Sequence, residues 1–116
     1  MAKELGELGE QLAARKLKSL GYKILKVNYR CPLGEIDIIA KEQNVIVFVE
    51  VRTKSKTNFG LPQATVNHQK QGKIRKVAQQ FLIMNNLEQA NCRFDVVGIV
   101  WPGGAEPVVE IIKDAF

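Results

Sequence analysis

The spacing of apolar residues changes along the chain from a helical period to a strand period and back. Leu5, Leu8, Leu12, Ala13, Leu17 and Leu20 follow helical spacing and predict an amphipathic helix over residues 3–20. Gly21 stands just past its end, where a helix stop is expected. Tyr22 to Asn28 alternates and reads as a strand, followed by the turn Cys31-Pro32-Leu33-Gly34. Residues 35–40 and 45–52 read as two further strands joined through Lys41-Glu42-Gln43-Asn44 as a hairpin. Thr53 to Pro62 is a polar loop. Val66 to Asn85 is a second helix, with Ile74, Val77, Ala78, Phe81 and Leu82 on its apolar face. Cys92 to Trp101 and Pro107 to Ile112 complete the pattern as strands, separated by the turn Pro102-Gly103-Gly104. The order αβββαββ predicts an α/β fold with a central mixed five-stranded sheet flanked by helices.

A chain of 116 residues, 46% of them hydrophobic, suits one domain over residues 1–116 with a core that needs no disulfides. The longest apolar run, Val45 to Val49, is strand-sized, and the charged N-terminus does not read as a secretion signal. A cytoplasmic protein without membrane association is expected. Cys31 and Cys92 lack metal-site spacing and read as reduced thiols.

Charge alters this picture in two places. First, Glu35, Asp37 and Glu50 lie within otherwise apolar strand segments. Burying an unpaired carboxylate is very costly, so something must compensate them. A divalent metal is the economical candidate, because hard cations take oxygen ligands. Second, no Asp or Glu occurs from Val51 to Leu87, a stretch holding Arg52, Lys54, Lys56, Lys70, Lys73, Arg75 and Lys76, seven of the 17 basic residues. An acidic cluster beside a one-sided basic run fits a metal site next to a polyanion track.

Strand parity decides which of these groups meet. Glu35 and Asp37 share a face, as do Glu50 and Arg52. An even hairpin loop is expected to pair Asp37 with Phe48 and Glu35 with Glu50. Asp37 and Glu50 are then diagonal neighbours on one face, roughly 7–8 Å apart by backbone position. Val45, Val47, Val49 and Val51 form the other face, expected to be core. On the first helix, Glu7 points away from the apolar stripe and Glu10 lies at its margin. Glu10 either approaches the acidic cluster or remains an exposed residue paired with Lys3 or Arg15. His68 reads as a surface or capping residue; Asp95 either pairs with Arg93 or Arg30 or extends the acidic site, the structural reading being preferred.

An acid on one strand followed by Glu-x-Lys/Arg on the next resembles the PD-(D/E)xK nuclease superfamily. A helix-borne Glu10 resembles its Holliday-junction-resolvase branch. The whole chain resembles the YraN family of bacterial proteins through Gly9-Glu10, Gly21-Tyr22, Asn28-Tyr29-Arg30, Gly34-Glu35-Ile36-Asp37, Phe48-Val49-Glu50-Val51-Arg52, Lys70-Gln71 and Arg93-Phe94-Asp95-Val96. This resemblance implies a restriction-endonuclease-like fold and a metal-dependent endonuclease acting on DNA, structure-specific rather than sequence-specific. It implies Mg2+ or Mn2+ on Asp37, Glu50 and the Val51 carbonyl, with Glu10 as the helix-borne acid and Glu35 as an auxiliary group. Arg52 takes the place of the superfamily lysine; it keeps the positive charge but cannot act as a base. Lys54, Lys56, Lys70, Gln71, Lys73 and Lys76 are expected to contact the nucleic-acid backbone, which gives affinity without sequence reading. Resolvase-like relatives suggest a homodimer by analogy. The rival reading is a non-catalytic nucleic-acid-binding module, or an accessory subunit on the same fold, in which Arg52 simply pairs with Glu35 or Glu50.

Overall fold

The computed structural model describes residues 2–54, 66–101 and 106–116. Its elements run α1 (Ala2–Ser19), β1 (Lys23–Cys31), β2 (Gly34–Glu42), β3 (Val45–Lys54), α2 (His68–Met84), β4 (Asn91–Val100) and β5 (Val108–Ile112). This is the αβββαββ order that the apolar spacing predicts. The five strands form one sheet in the order β1-β2-β3-β4-β5. All neighbours are antiparallel except β3 and β4, whose parallel pairing spans Val45↔Asn91 to Lys54↔Val100. A parallel pair needs a long crossover, and α2 lies within it. The predicted turn at residues 102–104 and most of the polar loop after Thr53 lie outside the described residues.

Each face of the sheet buries an apolar layer. Ala13 and Leu17 of α1 pack on Ile38, Ala40, Val47, Val49, Val97 and Ile99. On the other face, Ile74, Val77, Ala78 and Phe81 of α2 pack on Ile36, Ile39, Ile46, Phe48, Phe94 and Val96. The valine face of β3 is core as expected. The opposite face is core too up to Phe48, which is covered by Phe81 and stacked on Phe94. Only beyond Phe48 does that face turn polar, at Glu50 and Arg52.

Local chemistry fixes the ends of these elements. Asn67 caps α2, its side-chain oxygen accepting the Lys70 N–H at 2.9 Å, and satisfies a donor that the helix leaves free. His68 is the exposed first residue of the helix. Gly9 packs directly on β3, where a Cβ would collide with Thr53 Oγ1.

The hairpin register differs from the expected one. Ile39 pairs with Phe48 and Ile38 with Val49, so Asp37 is not opposite Phe48. The loop is even, but it consists of Gln43-Asn44, closing on the pair Glu42↔Val45, with Gln43 at φ 54°. A left-handed residue allows a tighter turn than the sequence advertises, and it slides β3 by two residues relative to the expected pairing. Parity survives a two-residue shift; the diagonal relation of Asp37 and Glu50 does not, and the two acids come closer.

A second polar cluster is structural. Asp95 is fully buried and accepts hydrogen bonds from Arg93 Nε at 3.0 Å and from the Asp114 N–H at 3.0 Å. Arg93 also reaches Glu42 at 2.6 Å and the Tyr22 hydroxyl at 2.8 Å. The buried acid thus has the full set of partners that burial demands. Of its two expected partners, Arg93 is the one used. Arg30 instead pairs with Glu35 at 3.1 Å in an exposed bridge.

Candidate active site

The β2–β3 ladder ends at Ile38↔Val49. One step further, the Asp37 side chain takes over from the backbone: its Oδ2 accepts the Val51 N–H at 2.7 Å. Glu50, only 6% exposed, lies beside it. Burial, and then the adjacent Glu50 carboxylate, push the Asp37 carboxyl up to about 8; the Val51 N–H opposes that rise. Near neutrality Asp37 therefore tends to keep its proton. Glu10 of α1 adds negative charge from a third element. Its own carboxyl is raised by burial first, then by Glu35 and Glu50, with Arg30 opposing.

Two cations answer Glu50. Lys70 Nζ, from the first turn of α2, stands 2.5 Å from Glu50 Oε2, and Arg52 Nη1 stands 3.5 Å from the same atom. Arg52 Nε is buried without a hydrogen-bond partner among the described residues. Beside this group, a cavity of about 300 Å3 is lined by Leu5, Gly6, Glu10, Val51, Arg52, Thr53 and Lys54. The structure thus gathers Asp37, Glu50, Val51, Arg52, Glu10 and Lys70 around the end of β3. Glu35 stands near enough to raise Glu10, but its exposed carboxylate is paired with Arg30.

The expected backbone-binding residues divide. Lys73 and Lys76 are exposed on α2. Gln71 is used locally, its side-chain amide donating to the Val66 carbonyl at 2.8 Å. Lys54 ends β3, where its carbonyl accepts the Trp101 N–H at 2.8 Å. Lys56 lies outside the described residues. The ion pair of Lys70 with Glu50 has no signature in the sequence, because the loop before α2 hides how the helix start returns to β3.

Among the described residues, no group of three or more His, Cys, Asp and Glu side chains is arranged to hold a metal ion. The donor chemistry nevertheless suits a hard cation. Two crowded carboxylates, one of them protonated near neutrality, gain most from a divalent ion, and Mg2+ needs only one or two carboxylates besides water and substrate phosphate. Among the described residues, no helix is long and apolar enough to cross a membrane.

Comparison with known proteins gives a consistent result. The profile described as "Uncharacterised protein family UPF0102" matches residues 9–99, which include every one of these site residues. A UPF0102 protein of Geotalea daltonii is 48% identical over 114 residues, covering 98% of this chain and 90% of its own. One from Moorella thermoacetica is 50% identical, covering 96% of this chain and 93% of its own. Another, from Alkaliphilus oremlandii, is 52% identical over 85% of this chain and 86% of its own. With the profile spanning most of the sheet and both helices, and relatives of this identity aligned over nearly their full length, the chain belongs to the UPF0102 (YraN) family.

Proposed function

We propose that the protein is a divalent-metal-dependent endonuclease that cleaves DNA phosphodiesters and selects by structure rather than by sequence. The observation that carries this reading is the Asp37–Glu50 pair, two carboxylates brought together at the end of β3 with Asp37 raised to about 8. Such strongly perturbed acids cluster at functional sites. Asp37, Glu50 and the Val51 carbonyl would hold the cation. When bound, Mg2+ or Mn2+ supplies Lewis-acid polarisation of a phosphoryl oxygen and acidifies a water. Arg52 stabilises the charge developing at phosphorus and, staying protonated, takes no proton. Lys70, paired with Glu50 in this structure, would be available to a phosphate oxygen once a cation neutralised that carboxylate. Glu10 borders the cavity in which the substrate backbone lies, and Lys73 and Lys76 extend the track along α2.

The test is a cleavage panel of single strands, duplexes, flaps and four-way junctions with Mg2+ or Mn2+, run on the parent and on Asp37→Ala. Removing a metal-holding carboxylate is expected to abolish cleavage of the preferred substrate. Equal activity in the two proteins would sink the assignment.

One observation favours a second reading. Lys70 and Arg52 both already neutralise Glu50, which suits a binding module whose acids are compensated by its own cations. That reading requires that neither Mg2+ nor Mn2+ raise the melting temperature of the parent protein.

A further inference from the structure

Successive side chains of a strand point to opposite faces, so Ile36 and Ile38 should share one. They do not. Ile36 packs in the layer of α2, whereas Ile38 packs with Ala13 and Leu17 of α1. Tyr29, the partner of Ile36 on β1, also lies on the α2 side, edge-on to Phe81 at 5.3 Å. The two-stranded ribbon of β1 and β2 therefore turns over between the pairs Val27↔Ile38 and Tyr29↔Ile36. The residues at the crossover are Asn28 and Asp37.

Asn28 has φ 59°. Of the non-glycine residues with positive φ among the described residues, it alone lies within a strand; Gln43, Asn86 and Asp114 sit in turns. Asparagine tolerates this left-handed region, which a β-branched residue strongly resists. Without the reversal, the Asp37 side chain would stand on the face of Ile39, Phe48 and Glu50, and its backbone rather than its carboxylate would face the Val51 N–H. With it, β2 parts from β3 after Ile38, and the Asp37 carboxylate meets the Val51 N–H.

We propose that Asn28 is a positioning residue: its left-handed backbone reverses the β1–β2 ribbon and so delivers the Asp37 carboxylate to the Val51 N–H beside Glu50. The functional consequence rests on the metal-site reading above; the geometry does not. The Val51 amide, followed in 1H–15N correlation spectra of the full chain, reports the contact, and Asp37→Ala defines its position when the acceptor is gone. Asn28→Gly, which accepts the same backbone, should leave the Val51 signal in place and Mn2+ affinity close to that of the parent. Asn28→Val should move the signal to the Asp37→Ala position and weaken Mn2+ binding, read by calorimetry, about tenfold, the usual loss when a ligand's support is removed. Asn28→Ala, a milder steric conflict, should move it part of the way and keeps the test decisive if the valine variant does not fold. A Val51 signal unmoved in Asn28→Ala, or displaced in Asn28→Gly, overturns the proposal. If the signal behaves as expected while the parent binds no Mn2+, the metal-site reading fails and the positioning role stands.

Discussion

Burial and the neighbouring Glu50 tie the folding of this chain to pH through Asp37. Its carboxyl titrates near 3.8 when unperturbed and at about 8 in the folded protein. An acid whose folded pKa is raised binds its proton more tightly in the native state. Its stabilising contribution is complete below the unfolded pKa and is lost as pH rises from about 4 towards 8. Each pK unit corresponds to about 1.4 kcal/mol. Without divalent ions, a loss of stability across that window is expected, on the order of a few kcal/mol. Asp37→Asn keeps an acceptor for the Val51 N–H and sheds the charge. It should therefore melt above the parent at pH 8.5 and match it near pH 4, as read by thermal denaturation in chelator. A variant that melts below the parent at both pH values would refute this account of Asp37. At this scale the sequence was partly legible. Period-two alternation and strand order bring Asp37, Glu50 and Arg52 to one end of neighbouring strands; the contact of the Asp37 carboxylate with the Val51 N–H needs the reversal as well. The left-handed backbone at Asn28 was not legible, because asparagine in a strand carries no mark distinguishing a reversed ribbon from a regular one.

The elements were easier to see than their mutual register. Both helices and all five strands follow from apolar spacing, and the end of α1 from Gly21; the second helix is expected from Val66 to Asn85 and is cut back at its start by the Asn67 cap. The Gln43-Asn44 turn escaped because a polar stretch of four residues admits turns that differ by two residues in register. The burial of Phe48 escaped as well: a helix covering the second face of β3 announces itself only in three dimensions. The contact between α1 and β3 offers a direct test at this scale. Gly9→Ala places a Cβ against Thr53 Oγ1. Its gain in helix propensity, about 1 kcal/mol, is outweighed by overpacking of about 1–3 kcal/mol. Urea unfolding should show a net destabilisation for Gly9→Ala and its rescue in Gly9→Ala/Thr53→Ala, a coupling that a double-mutant cycle measures. Additive effects of the two substitutions would mean that α1 does not rest on Thr53. Because Glu10 follows Gly9, the same close approach sets how near that acid stands to β3.

At the scale of the whole molecule, the net charge of +5 is uneven, concentrated in the acid-free run after β3. Lys73, Arg75 and Lys76 are exposed members of that run on α2, Arg75 lying over the Phe94 ring and Lys73 and Lys76 being the lysines of the expected track. If they contact DNA phosphates, the variant Lys73→Ala/Lys76→Ala should weaken binding about equally for different sequences. It should also reduce the slope of log K against log salt by about 1–2, as measured by fluorescence anisotropy over a salt series. A slope that does not change would locate the polyanion elsewhere on the surface. The parallel pairing of β3 with β4 has a further consequence, for the order in which the chain can assemble. All of the acidic residues at the site precede residue 55, yet the central strand that carries Glu50 finds its second neighbour only at Asn91 to Val100. A chain emerging from the ribosome therefore holds an unpaired, strongly apolar strand edge until β4 has been made. Non-local pairings of this kind close slowly, and open edges recruit other chains. The same strand that assembles the site is thus the segment most exposed to misassociation during synthesis.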